Sequence, residues 1–207
     1  MQEKDTTQIK AILRKNAEKY YDFYNENLKK FQDYEKLPPE KKAVYPYVCW
    51  NESDLRTYII HNFLNEIENT SIDIGFVHSE FQMKPGKFIQ DETMNQIWDK
   101  AVLEVRKSKG RKKNAGDIDI AITSFQDEIP FILCVEVKFY HYRIEGYKKE
   151  LEQELNRGLK TLQILKEQGI TKEILMIVGD LYYHRKEPDF INEFHRENSN
   201  DLLYLKM

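Results

Sequence analysis

The chain has few of the residues that mark secreted or zinc-binding proteins. Its 207 residues include two cysteines and five histidines, and the histidines show no spacing that suits a shared metal ion. Both cysteines, Cys49 and Cys134, stand among apolar residues, which predicts buried thiols in a reducing compartment. We therefore expect a cytoplasmic protein.

Long apolar runs and repeats are also absent from the sequence. Neither end carries an apolar stretch long enough for a signal peptide or a membrane span, so no membrane association is expected. Hydrophobic residues make up 41% of the chain and the formal net charge is −3, a balance that argues against a wholly disordered chain. This length predicts one domain with a sizeable core plus an appendage.

The appendage is predicted at the N-terminus, over residues 1–38. Apolar and aromatic side chains recur at three- or four-residue spacing from Thr7 to Leu37, which is typical of a long or broken amphipathic helix. Pro38 and Pro39 would end it. We expect this helix to pack on the main domain, predicted over residues 50–207, and the alternative is an arm for dimerisation or for a partner.

The main domain shows alternating helix and strand patterns, which predict an α/β fold. A long helical pattern separates the strand over 131–139 from the strand that begins at Ile174. We therefore expect these two strands to be parallel and joined by a right-handed crossover. In chain order the predicted elements are a helix capped by Asn51, a strand from Phe76 to Met83, a helix from Met94 to Val105, strands over 116–122 and 131–139, a helix from about Glu145 to Gln168, a strand from Ile174 to Val178, a short helix opened by Pro188, and an edge segment from Leu202 to Leu205.

Two neighbouring strands place acids and a lysine together. Side chains two apart in a strand point to the same face, so Asp117 and Asp119 project together. On the next strand Glu136 and Lys138 share a face in the same way. The other face of the first strand is predicted to be aliphatic, with Ile118, Ile120 and Ile122.

This grouping of charges predicts a metal site. Carboxylates held close together repel one another, so the cluster needs a cation or protons. Oxygen ligands without a neighbouring Cys or His pair favour Mg²⁺ or Mn²⁺ over zinc. A metal held by Asp117, Asp119 and Glu136 could generate hydroxide and stabilise a phosphodiester under attack, while Lys138 holds the water or neutralises the phosphate.

The same residues resemble a known family. Asp119, sixteen intervening residues and then Glu136-Val137-Lys138 are similar to the motif of the PD-(D/E)XK nuclease superfamily, which includes restriction endonucleases and junction resolvases. The resemblance implies a restriction-endonuclease-like αβββαβ core over about residues 50–180. It assigns Asp119 as the motif aspartate and Asp117 as an accessory acid. Ile118 stands where a proline is usual.

Three further residues enter the predicted site by position. The first helix of such cores often offers an acid, for which Glu52 is the candidate, although an acid there also stabilises a helix N-terminus. Glu80 is another acid on the active face of the first strand. Gln153 lies on the crossover helix, where some members carry a glutamine near the metal, and plain surface exposure is the alternative.

A basic run precedes the acidic strand, with six basic residues among the eight from Arg106 to Lys113. Lysine and arginine beside a metal site supply salt-sensitive affinity for phosphates, and a solvated loop is the alternative. We therefore expect an Mg²⁺- or Mn²⁺-dependent endonuclease that acts on DNA, with a homodimer as the form that the resemblance implies for double-strand cleavage. The nucleic-acid-binding candidates are Lys109, Arg111, Lys112 and Lys113.

Other interpretations stay open at this point. Acidic and basic faces also occur on solvated antiparallel strands without chemistry, although the apolar run over 131–135 indicates a strand covered on both faces. A nuclease-fold module that binds nucleic acid or a protein partner without cleaving is the main alternative. The net charge of −3 supports it, since DNA-binding domains tend to be basic. A glycosidase fits poorly, because it has no use for the adjacent lysine.

Overall fold

A computed structural model describes residues 3–36, 38, 51–87, 91–110, 115–125, 128–140, 147–180 and 189–206. The described part of the chain forms five helices and five strands. They are α1 (Glu3–Glu35), α2 (Glu52–Ile67), β1 (Val77–Gln82), α3 (Glu92–Ser108), β2 (Asp117–Ile122), β3 (Phe131–Tyr140), α4 (Tyr147–Glu167), β4 (Thr171–Asp180), α5 (Asp189–Glu197) and β5 (Leu202–Lys206).

The strands make one mixed sheet in the order β1-β2-β3-β4-β5. β1, β2 and β3 pair antiparallel, whereas β3, β4 and β5 pair parallel, with α4 as the crossover between β3 and β4. The predicted α/β class, with a mixed sheet flanked by helices, is confirmed. The parallel return through α4 and the edge position of the last segment are confirmed as well. β4 is longer than predicted, because its first residues pair with the start of β3.

Two apolar cores cover the two faces of the sheet. The first contains α1 and α2, and the second contains α3 and α4. Within α1, the side chains of Ile9, Leu13, Tyr20 and Tyr24 are almost wholly buried. Each large apolar side chain buried in this way contributes roughly 1.5–3 kcal/mol. Together they are comparable with the net stability of a whole domain, about 5–15 kcal/mol, so α1 is integral to the fold.

Polar contacts also tie α1 to the turn that precedes β5. The Lys10 ammonium donates to the Asp201 carboxylate at 2.6 Å. The Arg14 guanidinium donates to the backbone carbonyls of Ser199 and Asn200 at 2.9 and 2.8 Å. The helix is therefore joined to a part of the chain that lies 191 positions further on.

The predicted burial of Cys134 is confirmed, and burial raises the pKa of its thiol to about 12. Cys49, Pro39 and Trp50 lie outside the described residues. The Asn51 cap is confirmed, since its side chain accepts a hydrogen bond from the Asp54 backbone N–H at 2.9 Å. None of the described helices combines the length and the apolar character that crossing a membrane requires.

The sheet opens between β2 and β3 at the end that carries the acids. The antiparallel pairs between these strands run from Ile122 to Ile120 on β2, and Ile120 pairs with Val135. Beyond that pair, among the described residues, no further pairing joins the two strands toward Asp119 and Glu136. The end of the ladder leaves a space that Asp119 and Glu136 line.

The interruption of the ladder changes the direction of one side chain. Ile120 and Ile122 pack in the first core, whereas Ile118 packs in the second, with α3 and α4. The prediction that all three isoleucines share one face is therefore wrong for Ile118. Regular alternation needs a regular extended backbone, and at Asp119 β2 lacks a ladder pair both with Glu80 of β1 and with β3.

Candidate active site

A cavity of about 330 Å³ lies where β2 and β3 diverge. Its walls come from α2, β1, β2, β3, α4 and the turn after α3. Among the described residues, six acidic and four basic side chains face it, so these residues together make the cavity negative when every group is ionised. The lining residues are Glu52, Arg56, Glu80, Lys109, Gly116, Asp117, Asp119, Glu136, Lys138, Glu154, Arg157 and Gly158.

The ammonium of Lys138 lies at the centre of the acids. Its Nζ atom is 2.9 Å from a Glu136 oxygen. It is 3.6 Å from an oxygen of Asp119 and equally far from one of Glu52. Burial alone would lower the pKa of Lys138, but the three carboxylates outweigh it and raise that pKa. Lys138 is therefore a protonated, charged group at neutral pH.

Asp119 is 7% exposed and both of its carboxylate oxygens are engaged. The Val137 backbone N–H donates to Oδ2 at 2.7 Å, and the Arg56 guanidinium donates to Oδ1 at 3.0 Å. The Asp119 side chain thus takes up a backbone N–H of β3 beyond the point where the ladder to β2 ends. Asp119 therefore connects β2 to β3 at a point where the two backbones are no longer paired, and it also faces the cavity.

Two other acids of the cavity are less acidic than usual. Burial raises the pKa of Glu136, and repulsion by Asp119 adds to the rise, while Lys138 opposes it. Burial also raises the pKa of Glu52, with the same repulsion from Asp119 and opposition from Lys138 and Arg56. Because burial disfavours the charged form of these two carboxylates, a divalent cation beside them would stabilise that form.

The donor set therefore fits a hard divalent ion such as Mg²⁺ or Mn²⁺. Within the described ranges, no group of three or more His, Cys, Asp and Glu side chains stands ready as a metal cage. Magnesium does not require such a cage, since it commonly uses one or two carboxylates and completes its shell with water and phosphate oxygens. Asp119 and Glu136 are the carboxylates that could hold it.

The structure places the other predicted site residues unequally. Asp117 and Lys109 line the cavity; Asp117 is exposed, and Lys109 donates to the Ala115 carbonyl at 2.9 Å. Glu52 and Glu80 also line it, and the Glu80 side chain is 59% exposed. Arg111, Lys112 and Lys113 lie outside the described residues.

Gln153 is not brought to the cavity. Its side chain is exposed, and α4 lines the cavity with Glu154, Arg157 and Gly158 instead. Successive residues of an α-helix are turned by about 100°, so Gln153 lies on a different side of α4 from its neighbour Glu154. α4 therefore presents Glu154 and Arg157 to the cavity, and Gln153, the predicted accessory residue, does not line it.

Two features of the site were not predicted. Arg56 reaches Asp119 from α2, and the only sequence signal was its position four residues after Glu52, which places both on one side of the helix. The second feature is the close approach of α4 to Glu136 at Gly158. A Cβ atom at Gly158 would lie 3.3 Å from the Glu136 Cγ and 3.0 Å from the Met176 Cε.

Comparison with known proteins gives no relative for this chain: no family model, no curated protein and no solved structure matches it. The comparison therefore leaves the arrangement of charged groups at the diverging strands, within a mixed five-stranded sheet, as the basis for inferring function.

Proposed function

We propose that this protein is a divalent-metal-dependent nuclease of the PD-(D/E)XK type, which hydrolyses phosphodiester bonds in DNA. The observation that carries the proposal is the convergence of Asp119, Glu136 and Lys138 on one cavity, with Lys138 within 3.6 Å of both carboxylates. Glu136 and Lys138 follow Asp119 by 17 and 19 positions in the sequence, so it is the fold that brings the three side chains together, where the pairing of β2 with β3 ends.

Each residue has a definite part in the proposed reaction. Asp119 and Glu136 would hold Mg²⁺ or Mn²⁺, with Asp117 as an accessory acid at the cavity wall. When bound, the ion supplies Lewis-acid activation of water and stabilisation of phosphate charge. Because Lys138 is protonated, it donates hydrogen bonds to the attacking water or to a phosphate oxygen and does not act as the base.

The charge of the cavity links the substrate to the ion. An acid-rich cavity repels a phosphodiester until a cation offsets part of its charge. Lys109 and Arg157 at the cavity wall would then contact phosphates, with an affinity that falls as salt rises. DNA and the divalent ion are thus expected to strengthen each other's binding.

The proposal is tested by cleavage assays on supercoiled plasmid, linear duplex, single-stranded DNA and RNA, each with Mg²⁺, Mn²⁺ or EDTA. We expect cleavage of DNA only with a divalent ion. The Glu136→Gln variant should lower the rate on the order of 10²–10³-fold, as loss of a group that stabilises transition-state charge typically does. The matched control is Glu152→Gln, an exposed residue of α4, which should cleave as the wild type does. Equal rates for Glu136→Gln and wild type would exclude this assignment.

A specific observation favours a second candidate, a non-catalytic module of the same fold. The central acids already have basic partners, since Asp119 contacts Arg56 and Glu136 contacts Lys138. In that case the cluster is an internal ion-pair network. Calorimetry decides between the two: a wild-type protein that takes up no Mn²⁺ at millimolar concentration, with DNA present, is the non-catalytic module.

Gly158→Ala should weaken metal binding with little effect on folding. The added methyl group would press on the Glu136 side chain and on Met176, whereas alanine favours the helix by about 1 kcal/mol over glycine. We expect Mn²⁺ affinity to fall about 10-fold or more, in the range seen when the neighbours of metal ligands are changed. Calorimetry and thermal unfolding measure the two effects. Asn156→Ala, exposed on the same helix, is the control, and unchanged Mn²⁺ affinity in Gly158→Ala would contradict the prediction.

A further inference from the structure

The Arg56 side chain joins two carboxylates that line the cavity. Its Nη1 atom donates to Asp119 Oδ1 at 3.0 Å and its Nη2 atom donates to Glu80 Oε1 at 2.5 Å. The side chain is only 9% exposed, and these two carboxylates compensate its buried charge. One planar guanidinium therefore links β1 to β2 through two charge-assisted hydrogen bonds.

The backbone at Glu80 supports a special role for this link. Glu80 has φ 56, a left-handed conformation, and it is the one non-glycine residue with positive φ among the described residues. Its neighbours Ser79 and Phe81 pair with β2, but the pair between Glu80 and Asp119 is missing from the ladder. Left-handed backbone is strained for a non-glycine residue, and such strain persists where the surroundings enforce it. The strained residue, Glu80, is also a hydrogen-bond acceptor for Arg56.

We propose that Arg56, braced by Glu80, is a positioning residue that fixes the orientation of the Asp119 carboxylate. Arg56 holds one oxygen and the Val137 N–H holds the other, so the carboxylate cannot turn about its own axis. Each carboxylate oxygen has two lone pairs, which leaves one on each oxygen for a metal ion. The effect on metal binding rests on the proposed function, whereas the orientation of Asp119 does not.

Arg56 could act in the opposite sense, as a cation that competes with the metal. The two roles give opposite results when the guanidinium is replaced. Positioning requires the fork of donors, so both Arg56→Lys and Arg56→Gln should weaken Mn²⁺ binding, by about 10–100-fold. Competition requires only the charge, so Arg56→Gln would tighten Mn²⁺ binding and Arg56→Lys would leave it unchanged. Tighter binding by Arg56→Gln would overturn the proposal.

A second measurement needs neither metal nor DNA. The Val137 amide hydrogen is held by Asp119, so native-state hydrogen exchange at Val137 reports the position of that carboxylate. We expect exchange at Val137 to accelerate about 10-fold or more in Arg56→Gln and Arg56→Lys, with exchange at Val135 unchanged. Glu80→Gln, which keeps Arg56 and removes the charge that braces it, should accelerate exchange at Val137 by a smaller factor. Arg196→Gln, an exposed arginine of α5, is the control and should change neither amide.

The results separate the two proposals. If exchange at Val137 accelerates in the Arg56 variants while the wild type takes up no Mn²⁺, the positioning of Asp119 is confirmed and the nuclease is excluded. Unchanged exchange at Val137 in folded Arg56→Gln would overturn the positioning role whatever the metal binding. If both Arg56 variants fail to fold, Glu80→Gln decides, and an unchanged Val137 in that variant overturns the proposal.

Discussion

Replacing Lys138 with methionine is expected to lower the rate of DNA cleavage by about 10²–10⁴-fold, the usual contribution of a positioned proton donor or charge in a transition state. Methionine keeps the length and the apolar stem of lysine and removes only the ammonium. That ammonium lies within 3.6 Å of carboxylate oxygens of Glu52, Asp119 and Glu136. Cleavage of plasmid with Mn²⁺ measures the loss, and a normal rate would remove Lys138 from the reaction.

The same variant should become less stable as the pH rises, in the absence of metal. Burial raises the pKa of Glu136, so the folded state holds its proton above the ordinary value of about 4.5 while the unfolded chain releases it. Stability falls with pH through that window, because the folded state binds more protons. Lys138 opposes the rise in the pKa of Glu136, so its removal extends the window upward.

Urea unfolding with EDTA from pH 5 to pH 8 measures this effect, over roughly the range in which a perturbed carboxyl group titrates. Lys160→Met on the exposed side of α4 is the control and should parallel the wild type. A difference between Lys138→Met and wild type that does not depend on pH would show that the ammonium has no electrostatic part in the cluster.

Two conservative changes in the same site should move stability in opposite directions. Asp119→Asn removes the charge that Arg56 faces in a buried position, and breaking a buried pair from one side typically costs about 3–5 kcal/mol. Glu136→Gln should instead stabilise the metal-free protein at neutral pH, because burial and Asp119 both disfavour the Glu136 charge. Lys138 keeps Asp119 and Glu52 as neighbours in that variant.

The free energy of unfolding at neutral pH with EDTA measures both effects, and Glu152→Gln serves again as the neutral control. Excess Mn²⁺ should stabilise the wild type more than it stabilises either variant, since binding to the native state adds to its stability. If the free energy of unfolding changes with the same sign in both variants, then the charges of Asp119 and Glu136 do not have opposite effects on stability, and the prediction is wrong.

The sequence patterns were sufficient to find the strands and their acids. Period-two alternation placed Asp119, Glu136 and Lys138 on two adjacent strands, and the structure brings these three side chains together. The helix capped by Asn51 and the parallel crossover through α4 also followed from local signals, namely a cap residue and a leucine stripe. Such features depend on neighbours in the sequence, so composition and spacing reveal them.

The remaining features depend on contacts between distant parts of the chain. Arg56 meets Asp119 across 63 positions of sequence, and no local pattern marks that partnership. The left-handed backbone of Glu80 is invisible in the sequence, because glutamate rarely adopts it. Ile118 was predicted on the wrong face for a related reason: a period of two assumes a regular strand, and β2 lacks ladder pairs at Asp119.

The contacts between α1 and the turn before β5 also set the stage of synthesis at which the packing of α1 can be completed. Lys10 pairs with Glu173 and Asp201, and Arg14 donates to the carbonyls of Ser199 and Asn200, all of which the ribosome adds much later. Until then the nascent helix lacks these anchors, and contacts so distant in sequence form slowly. Chaperone protection of the emerging chain would therefore matter most for its first helix.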